Sequence, residues 1–315
     1  MPDFDYNGHR ISYDEYGAGD RPLVLIHGLL MNRRMFDRLG PAIAERGNRV
    51  ITIDLLGHGR SDRPSEMSQY SMTFFARQVE ALLDHLDLDN AVIGGTSLGA
   101  NVTLELAYLE PKRVKGMMVE MPVLDNALLA VAVIFTPIML GLRFGEPLLK
   151  LIAAGARRIP RNNPLLDMGL DLIRQDPAPS EAVLEGLFLG SSAPHRQFRV
   201  QMEQPTLVIG HHSDPLHPFS DAGMLAEELP NAHLIEANSI LEWRISPERL
   251  DAQLARFLNS VWEDKPVAEA ALSGAWTPFA SLSAPVWPAV RKRRSACANS
   301  GSPPSGPLPQ LDRGG

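Results

Sequence analysis

The residues whose chemistry is most specific lie in Gly94-Gly95-Thr96-Ser97-Leu98-Gly99, which reads G-x-S-x-G at Gly95, Ser97 and Gly99. A serine hydroxyl is a weak nucleophile until a base takes its proton, and the oxyanion it creates needs donors aimed at it. The flanking sequence meets part of that need. Asn90-Ala91-Val92-Ile93 is a short, β-branched apolar run of the kind that forms a buried strand. Ala100 to Leu109 carries apolar residues at helical spacing. Ser97 is therefore expected on a sharp turn from strand to helix, with glycines on either side relieving the crowding. Its oxygen then stands at a helix N-terminus, where free N–H groups meet an anion.

The surrounding elements repeat this alternation. Residues 3–17 read as an opening antiparallel hairpin turned at Asn7-Gly8. Leu23-Val24-Leu25-Ile26 and Val50-Ile51-Thr52-Ile53 are continuous apolar runs, as in parallel strands covered on both faces. The first ends in His27-Gly28-Leu29-Leu30, and the second runs into Asp54-Leu55-Leu56-Gly57-His58-Gly59-Arg60-Ser61-Asp62. Amphipathic helices are expected over 34–46 and 71–86, and a strand over 114–119 that Lys115 and Gly116 weaken. From 122 to 204 the alternation stops, and short apolar helices are expected with breaks at Pro137, Pro147, Pro160 and Pro164. It resumes with strands at 206–209 and 233–235 and helices at 220–229 and 247–262. The implied architecture is α/β, a mostly parallel sheet with helices on both faces. In such a sheet His27-Gly28, 54–62, Ser97 and Asp214 all fall at the carboxyl ends of strands, where sites form.

Composition narrows the function classes. A net charge of −7 over 315 residues gives no basic field for nucleic acid. One cysteine, Cys297, allows no disulfide framework and no cysteine metal site within the chain. Met1-Pro2-Asp3-Phe4-Asp5 has neither the basic region nor the apolar core of a signal peptide, so the expected location is cytoplasmic. Residues 264–315 are rich in Ala, Pro and Ser around a basic run at 291–294. They are expected to be disordered, with too little apolar surface to offset ordering entropy.

Taken together, His27-Gly28, Gly57-His58-Gly59-Arg60-Ser61 and the Ser97 turn, in this order and spacing, resemble the α/β-hydrolase superfamily over about residues 3–262. The resemblance implies an eight-stranded sheet with a core from 1–121 and 205–263 and a helical cap inserted at 122–204. It also implies a catalytic triad in the order Ser, acid, His. Position by position, Ser97 matches the nucleophile. Leu98 and Leu29 match the two oxyanion N–H donors, and Asp214 matches the acid.

The family's histidine falls after the last strand, near Ser239 or Ile240, and no histidine stands there. A base must come from elsewhere if the serine is to react. His27 and His58 lie in segments that the family uses structurally. His211 and His212 precede Asp214, and His217 follows it by three residues in the same loop, so His217 and His212 are the leading candidates. His195, in the cap segment, is a further one.

The run from Ala127 to Leu142 is apolar but shorter than the about 20 residues a bilayer demands, and Pro137 interrupts it, so no stable membrane span is expected. It reads as a lid over an apolar pocket, or as a helix packed on other cap helices or a second subunit. The function expected is hydrolysis of a small or medium hydrophobic ester through a Ser97 acyl-enzyme, with no metal or organic cofactor. A second reading is an α/β-hydrolase-fold binder of an apolar ligand with little or no turnover. A third is a cofactor-free lyase or peroxidase-like enzyme.

Overall fold

The computed structural model describes residues 2–160, 164–212 and 214–265, with backbone alone at 164, 165 and 168. The strands are β1 (Asp3–Tyr6), β2 (His9–Tyr16), β3 (Pro22–Ile26), β4 (Arg49–Ile53), β5 (Ala91–Thr96), β6 (Val114–Glu120), β7 (Thr206–His211) and β8 (Ala232–Ala237). They form one eight-stranded sheet in the order β1-β2-β4-β3-β5-β6-β7-β8. Strand β2 runs antiparallel to β1 and β4, and the other pairings are parallel. Helices α1 (Leu39–Ala44), α2 (Met72–His85) and α3 (Leu98–Leu109) belong to the first half of the chain. Between β6 and β7 lie α4 (Leu128–Phe144), α5 (Glu146–Ala156), α6 (Pro164–Ile173), α7 (Pro177–Phe188) and α8 (Arg196–Arg199). Helices α9 (Phe219–Glu228), α10 (Glu242–Ile245) and α11 (Glu248–Trp262) complete the order.

The continuous apolar runs are central strands, as parallel pairing requires. Leu23, Val24, Leu25 and Ile26 of β3 are all fully buried, and each such side chain contributes on the order of 1.5–3 kcal/mol. Two apolar clusters, one on each face of the sheet, form the core. Lys115 is accommodated as an irregularity: Ala91 pairs Val114 and Val92 pairs Gly116, so Lys115 is left over. Its ammonium reaches Asp264 at 3.0 Å and lies over the Trp262 ring.

Two expected elements differ. The helix expected over 34–46 is a 3₁₀ turn at Arg33–Phe36 followed by α1. Pro41 lacks the N–H that would bond Asp37 in a continuous helix, so it is tolerated only in the first turn of a new one. Asn32 caps the 3₁₀ turn, its Oδ1 accepting from Arg34 N–H at 3.1 Å. Pro137, expected to break the chain, instead lies inside α4. The expected disorder of the tail, its basic run and Cys297 concern positions that lie, from 266 onward, outside the described residues.

Buried polar groups tie the helical insert to the sheet. The Asp221 carboxylate in α9 accepts from Leu124 N–H, Asn126 N–H and Nδ2, and Ala127 N–H at 2.7–3.1 Å. Asn101 of α3 donates to Val123 O and Ser192 O, both at 2.7 Å, and accepts from Val123 N–H. At the far end Arg199 pairs with Glu228 at 2.6 Å, with both side chains buried.

Candidate active site

Ser97 sits between β5 and α3 with φ 56° and ψ −111°, a backbone region side chains rarely adopt. The flanking glycines are there because nothing larger fits. A Cβ on Gly95 would stand 2.5 Å from Ile26 O, and one on Gly99 2.0 Å from the same oxygen. Ser97 N–H donates to Glu120 O at 2.9 Å, which pins the turn to β6. Leu98 begins α3, so its N–H has no intrahelical acceptor. Gly28 packs on the same turn: a Cβ there would lie 3.6 Å from Thr96 O and 3.9 Å from Ser97 Cβ. Leu29 and Leu98 thus line one cavity with Ser97.

The histidine comes from the loop between β7 and α9. His217 Nε2 lies 2.8 Å from Ser97 Oγ, and its Nδ1 lies 2.8 Å from Asp214 Oδ2. Asp214 Oδ1 accepts from Leu216 N–H at 2.8 Å and His217 N–H at 3.0 Å. Three-residue spacing lets one carboxylate hold both the backbone and the ring of the residue it orients. Burial pushes the Asp214 carboxyl up, but the His217 ring and these two N–H groups outweigh it and hold it below the usual carboxylate range. An ionised Asp214 fixes the proton on Nδ1 and leaves Nε2 as acceptor for the serine hydroxyl.

The other histidines are placed elsewhere. His212, the second leading candidate for the base, does not reach Ser97. It is half exposed, pairs with Glu236 Oε1 at 2.8 Å and stacks on Phe219. Neighbouring residues of an extended segment point to opposite sides, so the buried, inward position falls to His211. His27 Nε2 accepts Leu55 N–H at 3.1 Å and Nδ1 donates to Gly28 O at 2.8 Å, which shapes the loop bearing Leu29. Burial lowers the pKa of both His27 and His58, keeping them neutral and structural. His195 lines the cavity at the start of α8.

The Gly57-to-Ser61 segment is organised around Asp54. Its carboxylate accepts from Arg33 N–H at 2.7 Å and Arg60 N–H at 2.8 Å, and it is salt-bridged to the Arg33 guanidinium. Gly59 is required because a Cβ would collide with that carboxylate at 2.1 Å.

A buried cluster without any local sequence signal lies at the ends of β6 and β7. Glu120 contacts Thr96 Oγ1, Arg244 Nη2 at 3.3 Å and His211 Nε2 at 3.4 Å. Burial pushes the Glu120 carboxyl up, yet Arg244, His211 and Thr96 bring it down to about 2. Burial alone would lower His211, but Glu120 raises it. His211 Nδ1 also bonds Ser239 O at 3.0 Å, so the loop that carries the family's histidine is here tied to a buried one.

The cavity over Ser97 measures about 480 Å³ and is walled mainly by apolar side chains, among them Met72, Leu124, Val131, Phe135, Leu187 and Phe188. Asn101, Arg196 and Arg199 add polar groups. A second cavity of about 610 Å³ shares no lining residue with it and is walled by charged side chains such as Arg63, Arg157 and Asp176. Size therefore does not locate the site; the Ser97–His217–Asp214 contacts do. Among the described residues no group of three His, Cys, Asp or Glu side chains is placed to hold a metal ion.

Comparison with known proteins gives the same architecture. The family model for the α/β-hydrolase fold matches residues 21–141. The chain is similar to an AB hydrolase superfamily protein, YisY, of Bacillus subtilis, 27% identical over 283 residues that cover 80% of this chain and all of that one. It is 29% identical to the haloalkane dehalogenase of Psychrobacter cryohalolentis over 126 residues, 36% of this chain and 42% of that one. With several other curated relatives too the match is partial, covering 26–40% of their length. A solved structure described as an N-acyl homoserine lactone degrading enzyme superposes with a TM-score of 0.63 at 25% identity, covering 80% of this chain and 98% of that one.

Proposed function

This chain is a member of the α/β-hydrolase superfamily, and we propose that it hydrolyses carboxylic esters of a hydrophobic acyl or aromatic group through an acyl-enzyme at Ser97. The observation that carries the reading is the hydrogen-bonded line Ser97–His217–Asp214, with 2.8 Å at each link. As Ser97 Oγ attacks the carbonyl carbon, His217 Nε2 takes its proton. The carbonyl oxygen becomes an oxyanion held by Leu29 and Leu98 N–H, the largest single stabilisation expected. His217 then returns the proton to the departing alkoxide oxygen, which leaves as alcohol. A water repeats the sequence on the acyl-enzyme, losing its proton to Nε2 and releasing the acid and the free serine. Asp214 stays ionised throughout and stabilises the imidazolium.

The apolar walls support a greasy substrate, and a volume of about 480 Å³ suits a ligand of moderate size. The reading as a ligand binder without turnover rested on the missing histidine after β8, and the His217 contact supports the catalytic reading over it. A fluorophosphonate probe tests the proposal. Labelling of wild type, abolished in Ser97→Ala, together with turnover of p-nitrophenyl esters that rises from acetate to longer acyl chains, is the expected result. Absence of labelling in folded protein overturns it.

A further inference from the structure

Helix α4 has two faces and the described chain accounts for only one. Leu128, Val131, Ala132 and Phe135 wall the cavity over Ser97. None of the helix's 17 residues is buried. On the side turned away from the cavity, Leu129, Val133, Leu140 and Phe144 are 77%, 65%, 52% and 81% exposed. At 100° per residue these four fall within one narrow stripe. On α5, Leu148 and Leu151 are likewise 62% and 71% exposed. Scattered exposed leucines are ordinary, but a contiguous set of this size marks an interaction surface.

Charge identifies what covers it. Within residues 128–160 Arg143, Lys150 and Arg158 are exposed beside a single acidic residue, Glu146, in a chain whose net charge is −7, whereas Arg157 turns to the second cavity and donates to Arg174 O. Arg143 and Lys150 remain more than half exposed although each has an acidic neighbour, Glu181 and Glu146. An isologous pairing of two copies through this face would bring the same basic set against itself. An anionic lipid surface instead matches both the leucines and the cations. No single helix among the described residues is long and apolar enough to cross a bilayer, and α4 and α5 meet at 99°. A bent apolar pair of that kind suits the interface better than a straight span.

We infer that the outer face of α4 and α5 docks on an anionic membrane surface, which places the α4 wall of the cavity against the lipid. The test uses the full chain carrying Ser97→Ala, so that its outcome is independent of ester hydrolysis. Sedimentation is measured with vesicles of phosphatidylcholine, with and without phosphatidylglycerol. Binding is expected to the phosphatidylglycerol vesicles and to weaken with salt. The triple change Leu129→Glu, Leu148→Glu, Leu151→Glu touches no cavity residue. It is expected to lower vesicle binding by about 1,000-fold, each buried leucine being worth about 10-fold or more. The pair Lys150→Gln, Arg158→Gln is expected to remove the preference for phosphatidylglycerol while leaving circular dichroism unchanged. The proposal is overturned if wild type binds neither vesicle, or if the triple variant binds as wild type does. It is equally overturned if the chain forms a dimer that the triple variant abolishes while vesicles bind nothing, because the face then belongs to a second copy.

Discussion

Replacing His217 by alanine isolates the role of the imidazole beside the serine. The ring's Nε2 lies 2.8 Å from Ser97 Oγ, and the nearby His212 is turned away to Glu236. His212 is therefore not in place to take the proton instead. Loss of the base in a serine hydrolase costs on the order of 10⁴–10⁶ in kcat, or about 5–8 kcal/mol of transition-state stabilisation. The oxyanion donors are backbone groups and survive the change. His217→Ala should thus retain on the order of 10³ over the uncatalysed rate and an unchanged cavity. Asp214→Asn should lose somewhat less, on the order of 10²–10⁴, because the ring persists but its tautomer is no longer fixed. His212→Ala should stay within about twofold of wild type, since its side chain is 54% exposed on the far side of the strand. The assay is the pseudo-first-order rate of fluorophosphonate labelling beside kcat/KM on a p-nitrophenyl ester, with thermal unfolding to confirm the fold. Labelling of His217→Ala at the wild-type rate, or a collapse of activity in His212→Ala instead, would refute the assignment.

Three further outcomes follow from the same structure. Glu120→Gln should destabilise by about 3 kcal/mol near neutral pH, because a buried carboxylate drawn down to about 2 loses its charged partners. The depressed Glu120 contributes fully above its ordinary value of 4.5 and loses that contribution as pH falls toward about 2, while the raised His211 contributes fully below 6.5 and loses it as pH rises through its folded value. Urea unfolding of wild type and variant should show the widest gap between those two limits and a narrowing on either side; a flat difference across pH would contradict it. Gly99→Ala, whose methyl would meet Ile26 O at 2.0 Å, should cost about 3 kcal/mol or more and abolish labelling, whereas Gly141→Ala in open space within α4 should stabilise by about 0.5–1 kcal/mol. Asp221→Ala strips four hydrogen bonds from the start of the helical insert and should expose the chain near residue 125 to limited proteolysis; a digestion pattern identical to wild type would exclude an anchoring role.

The strands and the Ser97 turn were legible because they are written in local signals. Continuous β-branched runs and a glycine on each side of a crowded residue carry their meaning within a few positions. The helix expected at 34–46 failed for an equally local reason, the missing N–H of Pro41, which apolar spacing does not register. Pro137 failed in the opposite sense, since a helix gives up one hydrogen bond without ending. The position of the base was less accessible. His211, His212 and His217 occupy one stretch of loop, and only the path of that loop decides which ring turns toward β5. The feature that distinguishes His217 is present in the sequence as the three-residue step from Asp214. The Glu120 cluster had no such marker, because its members are contributed by β5, β6, β7 and α10 and meet only after the sheet is assembled.

Carboxylate and imidazole share a single four-residue turn from Asp214 to His217 and hold each other within it. They therefore travel as one body. A displacement of this turn would withdraw both from the serine at once, leaving no half-armed state in which the ring stays but its tautomer drifts. The stretch between β8 and α10 is engaged elsewhere, Asn238 N–H donating to Glu242 and Ser239 O accepting from His211 Nδ1.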